Sequence, residues 1–347
     1  MWVKGQIAHD LEDATGGVKD LLGRAHQSHL FDRDYWFTAL WRHNEIGKRP
    51  LIARSWGEGA RAWLFLADHG QRRATALANY YTLAFRPIFT GDPNRTTKRA
   101  LLVASARRLR QRPIQLAEVI MAPVPNDDGG ADLLARSFRR AGWLVFRAPQ
   151  TMSWTVDVHG KSFDEYWAER PGALRSTFAR KLKKSSVTTE IHTQFDASIW
   201  AEYEAIYADS WKPDEGSSAF LKALAEIEAN AGCLRLGLAR LDGVALAAQL
   251  WTIEPGRAII HKLAYRKSAA QHSPGTILTA AMFRHVIDID HVPLIDYGTG
   301  DDRYKADWMD SRAILEQISC LNPIYARSWA IALRNWIKSL ARRTSAA

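Results

Sequence analysis

Between Leu263 and Met309 the chain reads LAYRKSAAQHSPGTILTAAMFRHVIDIDHVPLIDYGTGDDRYKADWM, and within it Ser273-Pro274-Gly275-Thr276 has the residue types that open a helix toward an anion. Serine suits an N-cap. Proline loses nothing at the first helical position, where an N–H would be unbonded anyway, and glycine leaves the first turn uncovered. The free N–H groups of such a turn lie at the positive end of the helix dipole, so a pyrophosphate can dock on them. The same four residues also suit a cap that holds no ligand. Downstream, Asp296-Tyr297-Gly298-Thr299-Gly300-Asp301-Asp302-Arg303-Tyr304-Lys305 gathers carboxylates, phenols and an amine in one polar turn. That order is the skeleton of a site for a phosphate-bearing acyl donor.

Three elements must position these groups. Ile277, Leu278, Ala281, Met282, His285, Val286 and Ile289 recur on one face of a 3.6-residue period, which predicts a helix starting at Ser273. A strand over Arg257–Tyr265 leads into it, and a strand over Val292–Asp296 follows, then a short helix near Asp302–Met309 and a strand over Ala313–Ile318. Upstream, strands at Leu234–Ala239 and Ala245–Ile253 are joined at Leu241-Asp242-Gly243.

The first half repeats this order: a helix over Phe31–His43, strands at Leu51–Trp56 and Ala62–Ala67 joined at Gly57-Glu58-Gly59, and a third strand at Ala76–Phe85. A basic helix over Thr97–Gln111, a strand over Gln115–Met121, a helix over Asp132–Ala141 and a strand over Trp143–Ala148 complete it. Matching elements stand about 170 to 180 residues apart, the signature of an internal duplication. The predicted fold class is α/β (α+β): two units of one design, each a mixed sheet flanked by helices. In the first copy the helix is preceded by Gly91-Asp92-Pro93-Asn94-Arg95, which lacks the Ser-Pro-Gly entry and carries an acid. The second copy is therefore the better donor site, and the first a scaffold or one wall of an acceptor cleft. Residues 1–28 read as a lead-in. Between the halves lie a strand at Trp154–Val158, a helix beginning at Phe163–Trp167, a Leu174, Phe178, Leu182 stripe with cations facing away, and helices at Ser198–Trp211 and Ala219–Ala229.

With 347 residues, 47% hydrophobic and 24% charged, the chain is long enough for two cored domains and is neither disordered nor membrane-spanning in composition. The N-terminal stretch lacks an apolar signal core, so a cytoplasmic location is expected. Cys233 and Cys320 have no CxxC partners, and no metal-ligand or P-loop spacing occurs, so neither a disulfide framework, a metal nor an NTP-hydrolysing loop is expected. The net charge of +10 is uneven: Arg95–Arg112 carries seven cations, Arg170–Thr189 six and Tyr325–Ala347 five, all without an acid. Such runs suit an anionic partner, or simply a solvated helix face. In the last run, Tyr325, Trp329, Leu333, Trp336, Ile337 and Leu340 form a stripe among Arg327, Arg334, Lys338, Arg342 and Arg343. A cationic helix of this kind, 323–347, either lies at a membrane interface or packs on the first domain.

From about Gly172 to Asp302 the chain resembles the GNAT-like acyltransferase domain of the cellulose-biosynthesis CelD type, related to the FemAB peptidoglycan transferases with their tandem GNAT folds. The resemblance is carried by LRSTFARKLKK, by ADSWK at Ala208–Lys212, by CLRLGLARLDGVALAAQLW, by LAYRKSAAQHSPGTIL and by IDYGTGDDRYKADWM. LFDRDYWFTALW upstream matches the usual opening of that group. The resemblance implies GNAT-like domains at 29–150 and 151–322, each a twisted sheet splayed in the middle. Acyl-CoA, acetyl-CoA above all, would lie in the splay of the second. Gln271, His272, Ser273, Pro274, Gly275 and Thr276 would hold its pyrophosphate, and the main chain over Lys262, Leu263, Ala264 and Tyr265 would polarise the thioester. The loop here keeps one glycine of the family's Arg/Gln-x-x-Gly-x-Gly/Ala pattern.

Acyl transfer needs an acceptor that loses a proton, a place for carbonyl charge and a proton for the thiolate. On this architecture Asp296 is the first candidate for general base or acceptor-orienting group and Asp301 the second. Tyr304 is the candidate proton donor, and Lys305 would hold an anionic substrate or developing charge. Arg180, Lys181 and Lys184 on the basic helix, with Trp211, Lys212 and Gln249, are the expected substrate-facing residues. His261 reads as a packed core histidine. Neither cysteine falls in the site, so transfer would be direct. The acceptor would be an amine or hydroxyl on an envelope or polysaccharide precursor. Two alternatives stand beside this: a FemAB-like transferase using aminoacyl-tRNA, and a non-catalytic tandem module binding nucleotide or polysaccharide.

Overall fold

The computed structural model describes residues 2–127, 129–184 (Lys184 by its main chain only) and 186–334. In chain order the first half forms β1 (Lys4–Ala8), α1 (Leu11–Thr15), α2 (Asp34–His43), β2 (Arg49–Gly57), β3 (Ala60–Gly70), β4 (Arg73–Ala76), β5 (Ile88–Thr90), α3 (Arg95–Arg110), β6 (Glu118–Val124), α4 (Gly130–Arg140) and β7 (Leu144–Asp157). The second half forms α5 (Phe163–Ala168), α6 (Gly172–Lys184), β8 (Thr188–His192), α7 (Ala197–Ala208), α8 (Ser218–Asn230), β9 (Leu234–Leu241), β10 (Val244–Glu254), β11 (Arg257–Tyr265), α9 (Pro274–Asp288), β12 (Leu294–Thr299) and β13 (Ser311–Leu321). The chain divides into two compact units, residues 1–151 with 313–347, and residues 152–312.

In the first unit the strands run β1-β2-β3-β4-β6-β13, antiparallel except for the parallel pair β4 and β6, with β5 pairing β3. Leu102, Ala106 and Leu109 of α3 and Leu134 and Phe138 of α4 pack with Leu51, Leu64 and Leu66 of the sheet in one core. Phe37 of α2 stacks on Phe65, whose alternation with Leu64 and Leu66 puts it on the opposite face. In the second unit the strands run β8-β9-β10-β11-β12 and then the end of β7, again antiparallel except for one parallel pair, β11 and β12. α9 supplies Ile277, Leu278, Met282, Phe283 and Val286 to the core formed with Trp251, Ile260 and Ile295. Gly237 of β9 lets α9 lie close: a Cβ there would fall 2.5 Å from Met282 Sδ.

The duplication is thus visible strand by strand, and each unit borrows its last strand from the other half of the chain. β13 pairs with β6, burying Ile318 and Cys320 in the first core, while Asp157 to Ser153 of β7 pair with β12. This moves 313–322 out of the second domain expected at 151–322. It also merges the strands expected at Trp143–Ala148 and Trp154–Val158 into one. The expected lead-in is an integral edge: Lys4 to Ala8 pair with Trp56 to Ile52. The strand expected over Ala76–Phe85 ends at Ala76, because Asn79 turns the chain, its side chain accepting from Tyr81 N–H at 3.0 Å and its carbonyl from Thr82 N–H at 2.9 Å.

Candidate functional site

β11 and β12 share only the rungs Ala258↔Ile295 and Ile259↔Asp296. Immediately beyond, Leu250 of β10 faces Lys262 while Trp251 faces Ile260, so His261 is the extra residue of a β-bulge. β12 is irregular at the same level, where Asp296↔Thr155 is followed by Thr299↔Ser153 with Gly298 at φ +70°. A bulge bends its strand and raises the local twist. Beyond the Ile259↔Asp296 rung no pair joins β11 to β12, and each strand carries a bulge at that level.

Asp296 lies on the last of those rungs. It is buried, one carboxylate oxygen accepts the Gly298 N–H at 2.8 Å, and the other is 3.9 Å from the Arg257 guanidinium. The sequence reading made it the first candidate base; its geometry is that of a carboxylate folding the β12 bulge. His261 is neutral: burial pulls its imidazole down to about 3, and its Nε2 meets Thr252 Oγ1 at 2.8 Å.

α9 begins beyond the end of β11. Ser273 occupies the N-cap position at φ 52°, ψ 43°, and its side chain makes no capping bond, contrary to the side-chain cap the sequence suggests. Ile277 N–H bonds Ser273 C=O at 3.2 Å, Pro274 has no N–H, and those of Gly275 and Thr276 meet no acceptor among the described residues. Ser273, Gly275 and Thr276 are half-buried and Pro274 is buried. The Tyr265 ring packs against Gly275, where a Cβ would meet it tightly at 3.2 Å. Gln249, expected to face substrate, is 1% exposed and instead pins the turn from below. Its Nε2 donates to Thr279 Oγ1 at 2.7 Å, and its Oε1 accepts from Trp251 Nε1 at 2.9 Å. Lys181 of α6 donates to Gln271 C=O at 2.7 Å, which brings a cation to the loop before the turn. Arg180 and Gln271 are exposed, and His272 sits 3.2 Å from Gln271 Nε2.

The loop 209–217 closes over the end of β11, tied by a bridge between Ser210 and Arg266 and by Lys267 N–H to Asp209 C=O at 3.2 Å. It delivers Glu215, which sequence reasoning missed. Glu215 lies 3.1 Å from Lys262 Nζ and accepts from Tyr203 Oη at 3.0 Å. Burial raises its pKa above the usual glutamate value, with Lys262 opposing. Lys212 is half-buried, and burial, then the neighbouring Lys262, lowers its pKa; Asp302 and Lys305 also act on it, so these charges share one environment. Trp211 is half in solvent, with the Lys212 ammonium 5.2 Å from its ring.

On the opposite side Lys305 is 4% exposed, donating to Thr299 C=O at 2.5 Å and standing 3.5 Å from Asp302; burial lowers its pKa. Tyr304 stands edge-on to Tyr297 at 5.8 Å, and its hydroxyl makes no hydrogen bond among the described residues. Burial, then Asp302, pushes that phenol upward, so it keeps its proton. Asp301 does not join the group: it is exposed and pairs loosely with Arg312 at 3.8 Å. No spacing rule links Glu215 to Lys262, and Lys212-Pro213-Asp214-Glu215-Gly216 reads as an ordinary polar loop.

Of the C-terminal stripe, Tyr325 docks on the first unit, donating to Gln115 C=O at 2.8 Å, while Trp329 and Leu333 are 56% and 58% exposed. Trp336, Ile337, Lys338, Leu340, Arg342 and Arg343 lie outside the described residues, among which no helix is long and apolar enough to cross a membrane.

The family described as acetyltransferase (GNAT) domain matches residues 172–306, the span from α6 to Lys305 and its neighbours. No curated protein matches the chain in sequence. Among solved structures, the chain is similar to FemX at a TM-score of 0.62 and 12% identity, covering 92% of this chain and 98% of that one. L-PGS from Bacillus licheniformis is similar at 0.52 and 14% identity, covering 89% and 97%. A conserved protein of unknown function from Bacteroides thetaiotaomicron is similar at 0.53 and 11%, covering 82% and 88%. At these identities the likeness is one of fold.

Proposed function

We propose that the second unit is an acyltransferase that moves an acyl group, acetyl in the simplest case, from acyl-CoA to an amine or hydroxyl acceptor by direct transfer. The observation that carries this is the uncapped start of α9, with two unbonded N–H groups at the end of a strand that parts from its neighbour. A dianionic phosphate bridge fits such a turn better than water does, because the donors and the helix dipole are fixed in advance. The match of the same residues to an acetyltransferase domain supports the reading.

Each step then falls to a residue of this chain. Gly275 and Thr276 N–H grip the pyrophosphate, with Lys181 at the preceding loop. Main-chain N–H groups freed at the Lys262–Tyr265 end of β11 polarise the thioester carbonyl. Glu215 takes the proton from the acceptor as its nitrogen or oxygen bonds to the carbonyl carbon; the raised pKa brings its basicity nearer to neutral pH than that of an ordinary carboxylate. Tyr304 gives its proton to the sulfur as the carbon–sulfur bond breaks. Lys212 and Lys305 hold an anionic acceptor, in keeping with an envelope or polysaccharide precursor. In this reading Asp296 shapes the strand.

Calorimetry with acetyl-CoA tests the donor: binding that survives ordinary salt supports the reading, and no binding removes it. The likeness to FemX and the exposed Arg175, Arg180 and Lys183 of α6 favour a second reading, with aminoacyl-tRNA as donor. A steeply salt-dependent shift of charged tRNA without any CoA binding would select it. Exposed Trp329 and Leu333 beside Arg327 and Arg334 favour peripheral contact with an anionic membrane. Flotation on vesicles with and without residues 325–347 tests that contact.

A further inference from the structure

The first unit contains a cleft of about 430 Å³ whose lining includes Arg86, Arg95, Lys98, Phe89 and Leu133. That volume is in the range of small-molecule sites. Arg95 and Lys98 project together from the first turn of α3, being three residues apart on one helical face. Neither has a carboxylate within ion-pair distance among the described residues. The Lys98 ammonium lies 5.4 Å from the Phe89 ring, and Arg95 Nη2 lies 4.0 Å from where a Cβ of Gly129 would be. Asp132, the nearest acid to Arg95 along α4, is taken by Arg147. Among the described residues Asp32 is the one carboxylate in the lining.

The remaining cations of α3 behave differently. Arg110 is engaged by Asn322 and by the Ala141 carbonyl, and Arg107 and Arg108 point to solvent. Of the basic run, Arg95 and Lys98 line this cavity, whose other walls combine the apolar Pro87, Ile88, Phe89 and Leu133 with the polar Gln27, His29, Asp32 and Arg86. Two cations outside any ion pair among the described residues, beside an apolar patch and the polar Gln27 and His29, suit a doubly charged head group on a compact polar body.

We propose that this cleft is a second anion site, one that binds a small organic phosphate such as a sugar phosphate, with Arg95 and Lys98 as its phosphate ligands. Its ligands differ from those of the turn at Gly275: Asn94 caps α3 by accepting from Thr97 N–H at 3.0 Å, and the side chains of Arg95 and Lys98 hold the anion. The inference does not rest on the acyltransferase reading.

The test is calorimetry of the full chain with glucose 1-phosphate, inorganic phosphate and acetyl-CoA, on the parent protein and on Arg95→Gln and Lys98→Gln. Both residues are at the surface of the helix, so the fold, followed by thermal melting, is expected to persist. Glucose 1-phosphate should bind the parent in the millimolar range or tighter. Each substitution should weaken it about tenfold or more, the scale of a charge-assisted hydrogen bond, and leave acetyl-CoA affinity unchanged. Weakening of inorganic phosphate alone, with no gain from the sugar, would reduce the site to a non-selective anion patch and overturn the assignment. So would glucose 1-phosphate binding equally to all three proteins, or to none. Should either glutamine variant melt early, Arg95→Lys and Lys98→Arg keep the test open: they should retain binding within a fewfold if charge is what matters.

Discussion

The two units repeat one order of elements yet begin their equivalent helices, α3 and α9, with different caps. Asn94 accepts from Thr97 N–H and leaves Arg95 and Thr96 N–H without an acceptor among the described residues, whereas Ser273, in a left-handed conformation, makes no side-chain cap and leaves Gly275 and Thr276 N–H unbonded. The strands that feed them differ in the same sense. β4 pairs with β6 up to Thr75↔Ile120 and ends at Ala76, while β11 leaves β12 after Ile259 and runs on to Tyr265. The difference lies at the third helical position: Thr97 N–H is taken by Asn94, while Thr276 N–H is left to water or a ligand.

Substitutions can break or sharpen that contrast. The largest effect is expected at Glu215, whose counterpart position in the first unit has no role in this account. Glu215→Gln should lower kcat about 10²- to 10⁴-fold, the usual weight of a general base, and leave acyl-CoA affinity unchanged. Because burial raises the Glu215 pKa above 4.5, the acid limb of kcat/KM should fall above that pH, with activity lost as the carboxylate is protonated. Lys262→Met removes the cation that opposes the shift, so the limb should move to higher pH still. A pH profile with an acid limb unmoved in Lys262→Met would separate Glu215 from the chemistry.

Next comes Thr276→Asp, which separates fold from function. A carboxylate in a helical first turn complements the dipole and should stabilise the fold by about 0.3–1 kcal/mol, while repelling a pyrophosphate. Donor affinity should drop about a hundredfold as melting temperature holds or rises, an estimate that follows from like-charge repulsion at contact distance. Thr97→Asp, at the matching place in α3, should leave donor affinity alone. Tyr304→Phe should cost about tenfold to a hundredfold in kcat, at the low end for a general acid whose place a water can take. Asp301→Asn should change nothing measurable, since the carboxylate is exposed and its partner is 3.8 Å away.

Much of the fold is legible in the sequence. The α9 helix declared itself because its apolar face supplies most of its own evidence, and the duplication because hairpin turns at Gly57-Glu58-Gly59 and Leu241-Asp242-Gly243 recur at a fixed interval. What stayed hidden depends on partners far away in sequence. β1 is a five-residue edge whose Lys-Gly-Gln-Ile-Ala carries almost no alternation, so only its ladder with β2 makes it a strand. The exchange of β7 and β13 between units leaves no local mark, because either strand is equally apolar wherever it pairs. Asp296 was weighted for its place on a strand, but its oxygens are spent on Gly298 and near Arg257. Glu215 was passed over because a carboxylate in a polar loop acquires its character only when Lys262 and Tyr203 enclose it.

The central claim is that the open first turn of α9 holds the diphosphate of the donor, and amide NMR reads that turn directly. With ¹⁵N-labelled protein titrated with acetyl-CoA, the Gly275 and Thr276 amide resonances should shift the most, saturating at the dissociation constant found by calorimetry, while Thr97 stays still. Gly275 and Thr276 amides that do not move at saturating acetyl-CoA would contradict the account.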